Sequence, residues 1–172
     1  IQKMLDLRRP GQSLVSTQRK EADVVEILSG VFRGFTTGAP ISMIIWNKDH
    51  DSRSYAKLRT AMRPGHSDYP AYVKYKKFND FRGGGRFSGR LTATHVLGGA
   101  IARKLLKVTL GINTNSYTYQ IGKIRMKTQP TQSMTKMIYS NDVRCPDKNT
   151  ANKMKNAILN ARKKGDSLGG VI

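Results

Sequence analysis

Apolar residues recur at helical spacing in two long stretches of the chain. The first predicts a helix from residue 91 to about 106, with an apolar face formed by Val96, Ala100, Ile101 and Leu105. The second predicts a last helix, whose apolar stripe consists of Ala151, Met154, Ala157, Ile158 and Ala161. Asn149 or Thr150 is the candidate cap of this helix, and Gly165 stands where a C-terminal glycine belongs.

Shorter runs of β-branched and aromatic residues predict strands. Residues 24–32 predict one bent strand or two short ones, residues 41–46 form the most strand-like run, and residues 113–126 alternate as a strand does. At the chain ends, residues 2–9 read as the end of a helix broken by a Pro-Gly pair, and residues 168–172 as a strand that has just begun. We therefore expect both termini to be cuts through a larger fold.

A long polar connection occupies residues 50–81. It has little periodicity and carries Arg-Pro-Gly-His-Ser-Asp at residues 63–68, followed by Tyr69, Tyr72 and Tyr75. A connection of this length is typically functional or disordered. The three tyrosines favour an ordered, functional segment.

Composition bounds the size and the surroundings of the protein. A chain of 172 residues that is 38% hydrophobic can bury one substantial core, so a single domain over residues 1–172 is predicted. Cys145 is the only cysteine, and no signal peptide or apolar run of about 18 residues is visible. These features predict a cytoplasmic protein without membrane attachment. No acidic, histidine or cysteine set has metal-ligand spacing, so no protein-held metal is expected.

The charge of the chain is strongly positive. Its 31 lysines and arginines exceed its 11 acidic residues, which gives a formal net charge of +20, and residues 81–140 contain no Asp or Glu. Such a field attracts nucleic acid, acidic lipid or a multiply charged metabolite. Charge alone does not choose among these partners.

A glycine-rich segment at residues 82–90, here called the glycine loop, is a candidate anion site. Its arginines Arg82, Arg86 and Arg90 are spaced four apart among four glycines, directly before the predicted helix. Arginine pairs two-toothed with phosphate or carboxylate, and glycine lets backbone N–H groups approach a ligand. Ser88 suits a helix cap or a ligand contact, and Phe87 suits stacking on an aromatic cofactor. An RNA-binding RGG segment and a solvated glycine turn are the alternatives at this point.

Two clusters place an arginine directly before Pro-Gly, at residues 8–11 and 63–66. The turn fixes where the arginine side chain starts, which suits a small, highly charged ligand. His66 is the best candidate acid or base, with Asp68 as a candidate to orient its ring. The alternative is a turn histidine without chemistry.

Taken in chain order, these clusters resemble the chorismate synthase family. The matching blocks include Arg-Pro-Gly-His at residues 63–66 and Arg-Phe-Ser-Gly-Arg at residues 86–90. The further blocks lie at residues 6–11, 18–23, 27–32, 36–38, 47–49, 99–102, 145–147 and 164–167. The resemblance covers essentially the whole chain. It implies an α+β fold, a sandwich of layered sheet and helices, and a homotetramer in the intact protein.

The resemblance also implies a reaction and a role for each site residue. Chorismate synthases remove phosphate and a proton from enolpyruvylshikimate phosphate by a 1,4-elimination that uses reduced FMN without consuming it. By position, His66 is similar to the histidine that donates a proton to the reduced flavin. The residues similar to flavin contacts are Arg86, Phe87 and Ser88, and those similar to substrate-binding arginines are Arg8, Arg63 and Arg90.

The chain departs from the family pattern in places. Phe87 and Gly89 stand where the family has small residues, and Leu14 where it often has Arg. The family's N-terminal block with a second catalytic histidine and its C-terminal half are absent, so the 172-residue piece alone is expected to lack activity. A basic nucleic-acid-binding module is the alternative; it explains the charge but not the ordered blocks, and no nucleic-acid partner is expected.

Overall fold

Helices and short antiparallel strands alternate in the computed structural model, which describes residues 1–9, 11–16, 22–48 and 51–172. The α-helices are α1 (Gln2–Arg8), α2 (Asp68–Lys74), α3 (Thr92–Leu110), α4 (Gln132–Thr135) and α5 (Lys148–Lys163). The strands are β1 (Val25–Ile27), β2 (Val31–Phe32), β3 (Phe35–Thr36), β4 (Met43–Ile45), β5 (Gln120–Ile121), β6 (Ile124–Arg125) and β7 (Gly170–Val171). The predicted α+β class is confirmed. No helix in these ranges is long and apolar enough to cross a membrane.

Contacts between residues divide the chain into two compact units. The first comprises Ile1–Asp6 and Asp23–Ile101, and the second comprises Leu7–Ala22 and Ala102–Ile172. A single domain over residues 1–172 stays a prediction.

The first unit packs helices onto a small antiparallel sheet. Strands β1 and β4 pair with Val25 opposite Ile45, and β2 and β3 form a separate hairpin. Leu5 of α1 packs with Ala93 and Leu97 of α3, and the partly buried Val25 and Ile45 lie against this cluster. The apolar face of α3 is therefore centred on Ala93 and Leu97. The predicted face was wrong at Leu105, whose side chain is exposed.

A glycine separates the first two strands. Gly30 has φ +79°, and a Cβ at this position would lie 2.7 Å from the backbone oxygen of Pro40. A side chain would therefore meet both backbone strain and a clash. Of the two predicted arrangements for residues 24–32, the structure has two short strands.

The second unit is built on the three-stranded sheet β6-β5-β7 and helix α5. Its core consists of Met126, Val143, Cys145, Ala151 and Met154. Burial raises the pKa of the Cys145 thiol. The prediction of one strand over residues 113–126 was wrong: Gly122, with φ +54°, turns the chain so that Gln120 pairs with Arg125 in a hairpin.

The last helix forms as predicted, with one correction at its start. Its stripe residues Ala151 and Met154 are buried, and Gly165 at the far end has φ +69°. The cap is Asp147, whose carboxylate accepts a hydrogen bond from the Thr150 N–H at 2.7 Å. A carboxylate at a helix start satisfies a free N–H and interacts well with the helix dipole, which is why Asp147 displaces the predicted caps.

Candidate functional site

A cavity of about 1020 Å³ lies within the first unit. Its walls come from the 3₁₀ turn Arg53–Arg59, the Arg-Pro-Gly-His segment, helix α2 and the glycine loop. Among the residues that line it are Arg63, His66, Arg86, Phe87 and Ser88. Segments some 20 positions apart in sequence thus bring the predicted acid or base, one predicted substrate arginine and the predicted flavin contacts to one place.

Arg63 is held in a two-toothed ion pair with Asp68. The Asp68 Oδ2 accepts from Arg63 Nε at 2.9 Å, and its Oδ1 accepts from Nη2 at 2.9 Å. The Arg63 backbone N–H also donates to Oδ2 at 3.0 Å. These bonds lower the pKa of Asp68 from 3.8 to about 2 and raise that of Arg63. The guanidinium is further fixed by the Tyr55 ring, whose centroid is 5.7 Å away.

His66 is exposed and lines the cavity just before α2. Within the described part of the chain its imidazole makes no hydrogen bond. The prediction that Asp68 orients the ring was wrong: the Asp68 carboxylate is hydrogen-bonded to Arg63 and not to the His66 ring. His66 is therefore presented to the cavity with its ring nitrogens available to a ligand.

The three arginines of the glycine loop differ in their partners. Arg82 is paired with Asp80 through Nε and Nη2, both at 2.9 Å. Arg90 donates from Nη2 to Asp23 at 2.8 Å, and the Asp23 side chain is only 1% exposed. Arg86, which lines the cavity, has no acidic partner among the residues that the structure describes. Among the described residues, no acid thus compensates the charge that the middle arginine brings to the cavity.

Ser88 confirms its predicted role as a cap. Its Oγ accepts from the Arg90 N–H at 3.2 Å and so starts the 3₁₀ turn Gly89–Leu91 that leads into α3. A Cβ on Gly84 would lie 2.9 Å from Ser88, so the loop needs glycine to fold this closely. The Ser88 hydroxyl proton has no acceptor in the described residues. It can therefore be donated to a ligand.

More aromatic residues line the cavity than the sequence predicted. Besides Phe87, the lining aromatic residues are Tyr55, Tyr72, Tyr75, Phe78 and Phe81. The rings of Tyr75 and Phe87 lie 6.4 Å apart between centroids and are tilted by 49°. Of the three tyrosines singled out in the polar connection, Tyr72 and Tyr75 line the cavity and Tyr69 does not, and nothing in their spacing predicted this difference.

The remaining predicted site residues lie elsewhere. Arg90 does not line the cavity; its guanidinium reaches Asp23 instead. Arg8 is the last residue of α1 and belongs to the second unit. Of the block at residues 18–23, residues 18–21 lie outside the described residues. In the described ranges no three His, Cys, Asp or Glu side chains converge as a metal site.

Comparison with known proteins points to one family throughout. The family model for chorismate synthase matches residues 1–172. The chain is 52% identical over 172 residues to the chorismate synthase of Korarchaeum cryptofilum and 47% identical over 184 residues to that of Methanocaldococcus jannaschii. All of this chain is covered, but only 47% and 48% of those relatives.

A solved structure supports the same family at the level of the fold. A crystal structure of chorismate synthase superimposes with a TM-score of 0.70 at 27% sequence identity, covering 98% of this chain and 46% of that one. The chain therefore spans just under half the length of the relatives it matches. The motif blocks, the family match and the fold agree, and the chain belongs to the chorismate synthase family.

Proposed function

We propose that this chain supplies substrate- and flavin-binding walls of a chorismate synthase, which converts enolpyruvylshikimate phosphate to chorismate by 1,4-elimination of phosphate. The observation that carries the proposal is the single cavity in which His66, Arg63 and Arg86 meet. Its lining also includes Phe87 and Ser88, the other two residues assigned to flavin.

The residues of the cavity fit a flavin. A volume of about 1020 Å³ lies at the upper end of the range for sites that hold a molecule of this size. The aromatic lining suits a flat ring system, the charge of Arg86 suits an anionic flavin, and Ser88 offers a hydroxyl donor. Reduced FMN, when bound, supplies reducing equivalents that the reaction returns. In our proposal Arg86, Phe87 and Ser88 hold and orient it.

The substrate carries two carboxylates and a phosphate, so it needs several cationic donors. Arginine has five N–H donors, and the pair with Asp68 uses two of those on Arg63. Three donors are left in a fixed plane at the cavity wall for a substrate anion. Arg8 and Arg90 keep the same role in our proposal on the basis of the family pattern, since neither lines this cavity.

His66 is proposed as the proton donor of the site. In the overall reaction the substrate loses a proton from one carbon and phosphate from another, and the electron pair of the broken C–H bond enters the new double-bond system. An imidazole can hold a proton at a ring nitrogen and donate it to a group beside it, here the flavin. The exposed position of His66 on the cavity wall supports this role.

The intact protein is proposed to be a cytoplasmic homotetramer. This rests on the family resemblance. A nucleic-acid partner is not proposed. The glycine loop forms two 3₁₀ turns with specific contacts rather than an open RGG segment, and Asp80 and Asp23 take up two of its three arginines.

The proposal is tested in a chimera. The 172 residues replace the matched segment of the Korarchaeum cryptofilum relative, so that the rest of the enzyme comes from a protein named chorismate synthase. We expect the chimera to release phosphate and form chorismate anaerobically with reduced FMN, at a rate within about tenfold of the relative. A folded chimera that binds no flavin and shows no turnover would contradict the proposal.

A second measurement addresses the nucleic-acid alternative. Binding of the 172-residue chain to a short oligonucleotide is titrated against salt. We expect weak binding that disappears at moderate ionic strength, as for any basic surface. Tight binding with a preference for one sequence would favour the alternative.

A further inference from the structure

Three Arg–Asp pairs in the first unit share one geometry but differ in position. In each, the aspartate accepts from Nε and Nη2 of the arginine and also from its backbone N–H. The pairs are Arg53 with Asp51, Arg63 with Asp68, and Arg82 with Asp80. Only in the second pair do both partners line the cavity; of the third, Asp80 does so and Arg82 does not.

This difference gives the Arg63–Asp68 pair a distinct effect on a bound anion. The carboxylate cancels the net charge with which Arg63 would attract any anion, while it leaves three N–H donors fixed in direction. The pair is also the least exposed of the three, with side-chain exposures of 33% for Arg63 and 20% for Asp68. Water therefore screens it less than the other two pairs.

We infer that Asp68 sets the ligand selectivity of the cavity. By holding Arg63 in place, it favours a ligand whose anionic group lies against the fixed N–H donors, and it disfavours free inorganic phosphate or sulfate. The inference rests on the proposed function, in which inorganic phosphate is a product that shares the cavity with the substrate. An unpaired Arg63 would retain that product. Asp68 is a positioning residue in this role, since it acts on the ligand only through Arg63.

The test is Asp68→Asn, which keeps the size of the side chain and removes its charge. Phosphate and sulfate binding to the 172-residue chain are measured by calorimetry, with sulfate as a probe whose charge does not change near neutral pH. We expect both anions to bind about fivefold more tightly in the variant, as expected for one uncancelled charge near a surface. Affinity for enolpyruvylshikimate phosphate stays level or falls by up to about twofold, because the loss of the fixed donors offsets the added charge, so that its ratio to phosphate drops by about five- to tenfold.

Two matched controls separate this effect from general charge. Asp51→Asn removes the same charge from the same kind of pair outside the cavity lining, and Asp80→Asn removes it at the cavity wall without touching Arg63. Both should change phosphate affinity by less than about twofold. Asp68→Glu, which keeps a carboxylate, should behave as the parent chain.

The double variant Arg63→Ala with Asp68→Asn tests whether Asp68 affects phosphate binding through Arg63. If Asp68 acts through Arg63, the tighter phosphate binding disappears in the double variant; if it persists there, or if Asp51→Asn reproduces it, the inference is overturned. Should Asp68→Asn fail to fold, Asp68→Ser removes the same charge with a smaller polar side chain and is expected to tighten phosphate binding likewise. The phosphate and sulfate measurements need neither flavin nor substrate, so they can still be interpreted if the proposed function is wrong.

Discussion

Two walls of the cavity carry the arginines that were predicted from the sequence, and these two arginines differ in how their charge is matched. In the Arg63 segment, residues 63–68, Asp68 matches the arginine through two hydrogen bonds to one edge of its guanidinium. In the glycine loop, residues 82–90, the outer arginines are matched by Asp80 and Asp23, but Arg86 at the centre is not matched in the described residues. Two walls of one cavity thus offer different kinds of positive group.

The contrast between Arg63 and Arg86 shows how a strongly basic chain can still select among anionic ligands. A paired guanidinium offers donors with fixed direction and little net charge, whereas an unpaired one offers full charge and a mobile side chain. The first kind discriminates between ligands by shape, and the second attracts any anion. The formal net charge of +20 is therefore a poor guide to the site, because a total does not tell which arginines at the cavity are held by a carboxylate, as Arg63 is by Asp68.

The largest effect expected at the paired wall comes from His66→Asn in the chimera. Loss of a proton donor typically lowers the rate by roughly 10²- to 10⁴-fold, and flavin affinity should stay within about twofold. Steady-state turnover and flavin titration provide the two numbers. His95→Asn is the matched control, since His95 is exposed on α3 in the same unit and does not line the cavity. Equal losses in both variants would assign the effect to stability instead of chemistry.

At the glycine loop, Arg86→Ala tests the comparison between arginines that have an acidic partner in the described residues and the one that has none. Removing an unpaired cation that meets an anionic flavin should weaken flavin binding by about 10- to 100-fold, since a charged hydrogen bond contributes about 1.5–3 kcal/mol. The control is Arg82→Ala, four residues away, whose guanidinium is already paired with Asp80. It should change flavin affinity by less than about twofold in a fluorescence titration. If Arg82 proves as important as Arg86, the distinction between paired and unpaired arginines has no functional meaning.

The sequence predicted most elements of the fold because those elements depend on local patterns. Both long helices and the strand at residues 43–45 lie where periodicity placed them. The hairpin at residues 120–125 was missed, since alternation reads the same whether the chain continues or turns back at a glycine. The exposure of Leu105 was missed as well, because burial depends on which elements pack against a helix.

For the candidate site, the sequence indicated the residues but not their pairing. Arg63, His66 and Arg86 were singled out from turn chemistry and spacing, and they do line one cavity. The buried contact between Asp23 and Arg90 spans 67 positions, and no local pattern announces such a contact. That Asp68 binds Arg63 rather than His66 depends on the path of the turn, which spacing alone does not fix.

A smaller effect concerns acid stability. The folded-state pKa of Asp68 is about 2, below its ordinary 3.8, so the pair stabilises the fold above about pH 4 and loses this contribution as pH falls towards 2. Asp68→Asn should therefore reduce the fall in unfolding free energy between pH 4 and 2 by about 1 kcal/mol. Urea unfolding at several pH values measures it. The pKa of Asp80 is lowered similarly, but this carboxylate is solvent-exposed, so Asp80→Asn should have a smaller effect. Identical acid profiles for Asp68→Asn and the parent chain would contradict the assignment.

The smallest effect is expected from Phe87→Ala, which tests one of the two residues of the glycine loop that depart from the family pattern. The Phe87 ring is 46% exposed and packs at its edge against Tyr75, so its removal should cost the fold no more than about 1 kcal/mol. Flavin affinity should fall about three- to fivefold, because stacking on one exposed ring adds to the contacts of Arg86 and Ser88 without replacing them. Phe78→Ala, which removes a ring that is 91% exposed in the same cavity lining, should leave both quantities unchanged. Tighter flavin binding in Phe87→Ala would mean that the ring crowds the flavin, and the glycine loop would then resemble the Arg63 segment in selecting ligands by shape.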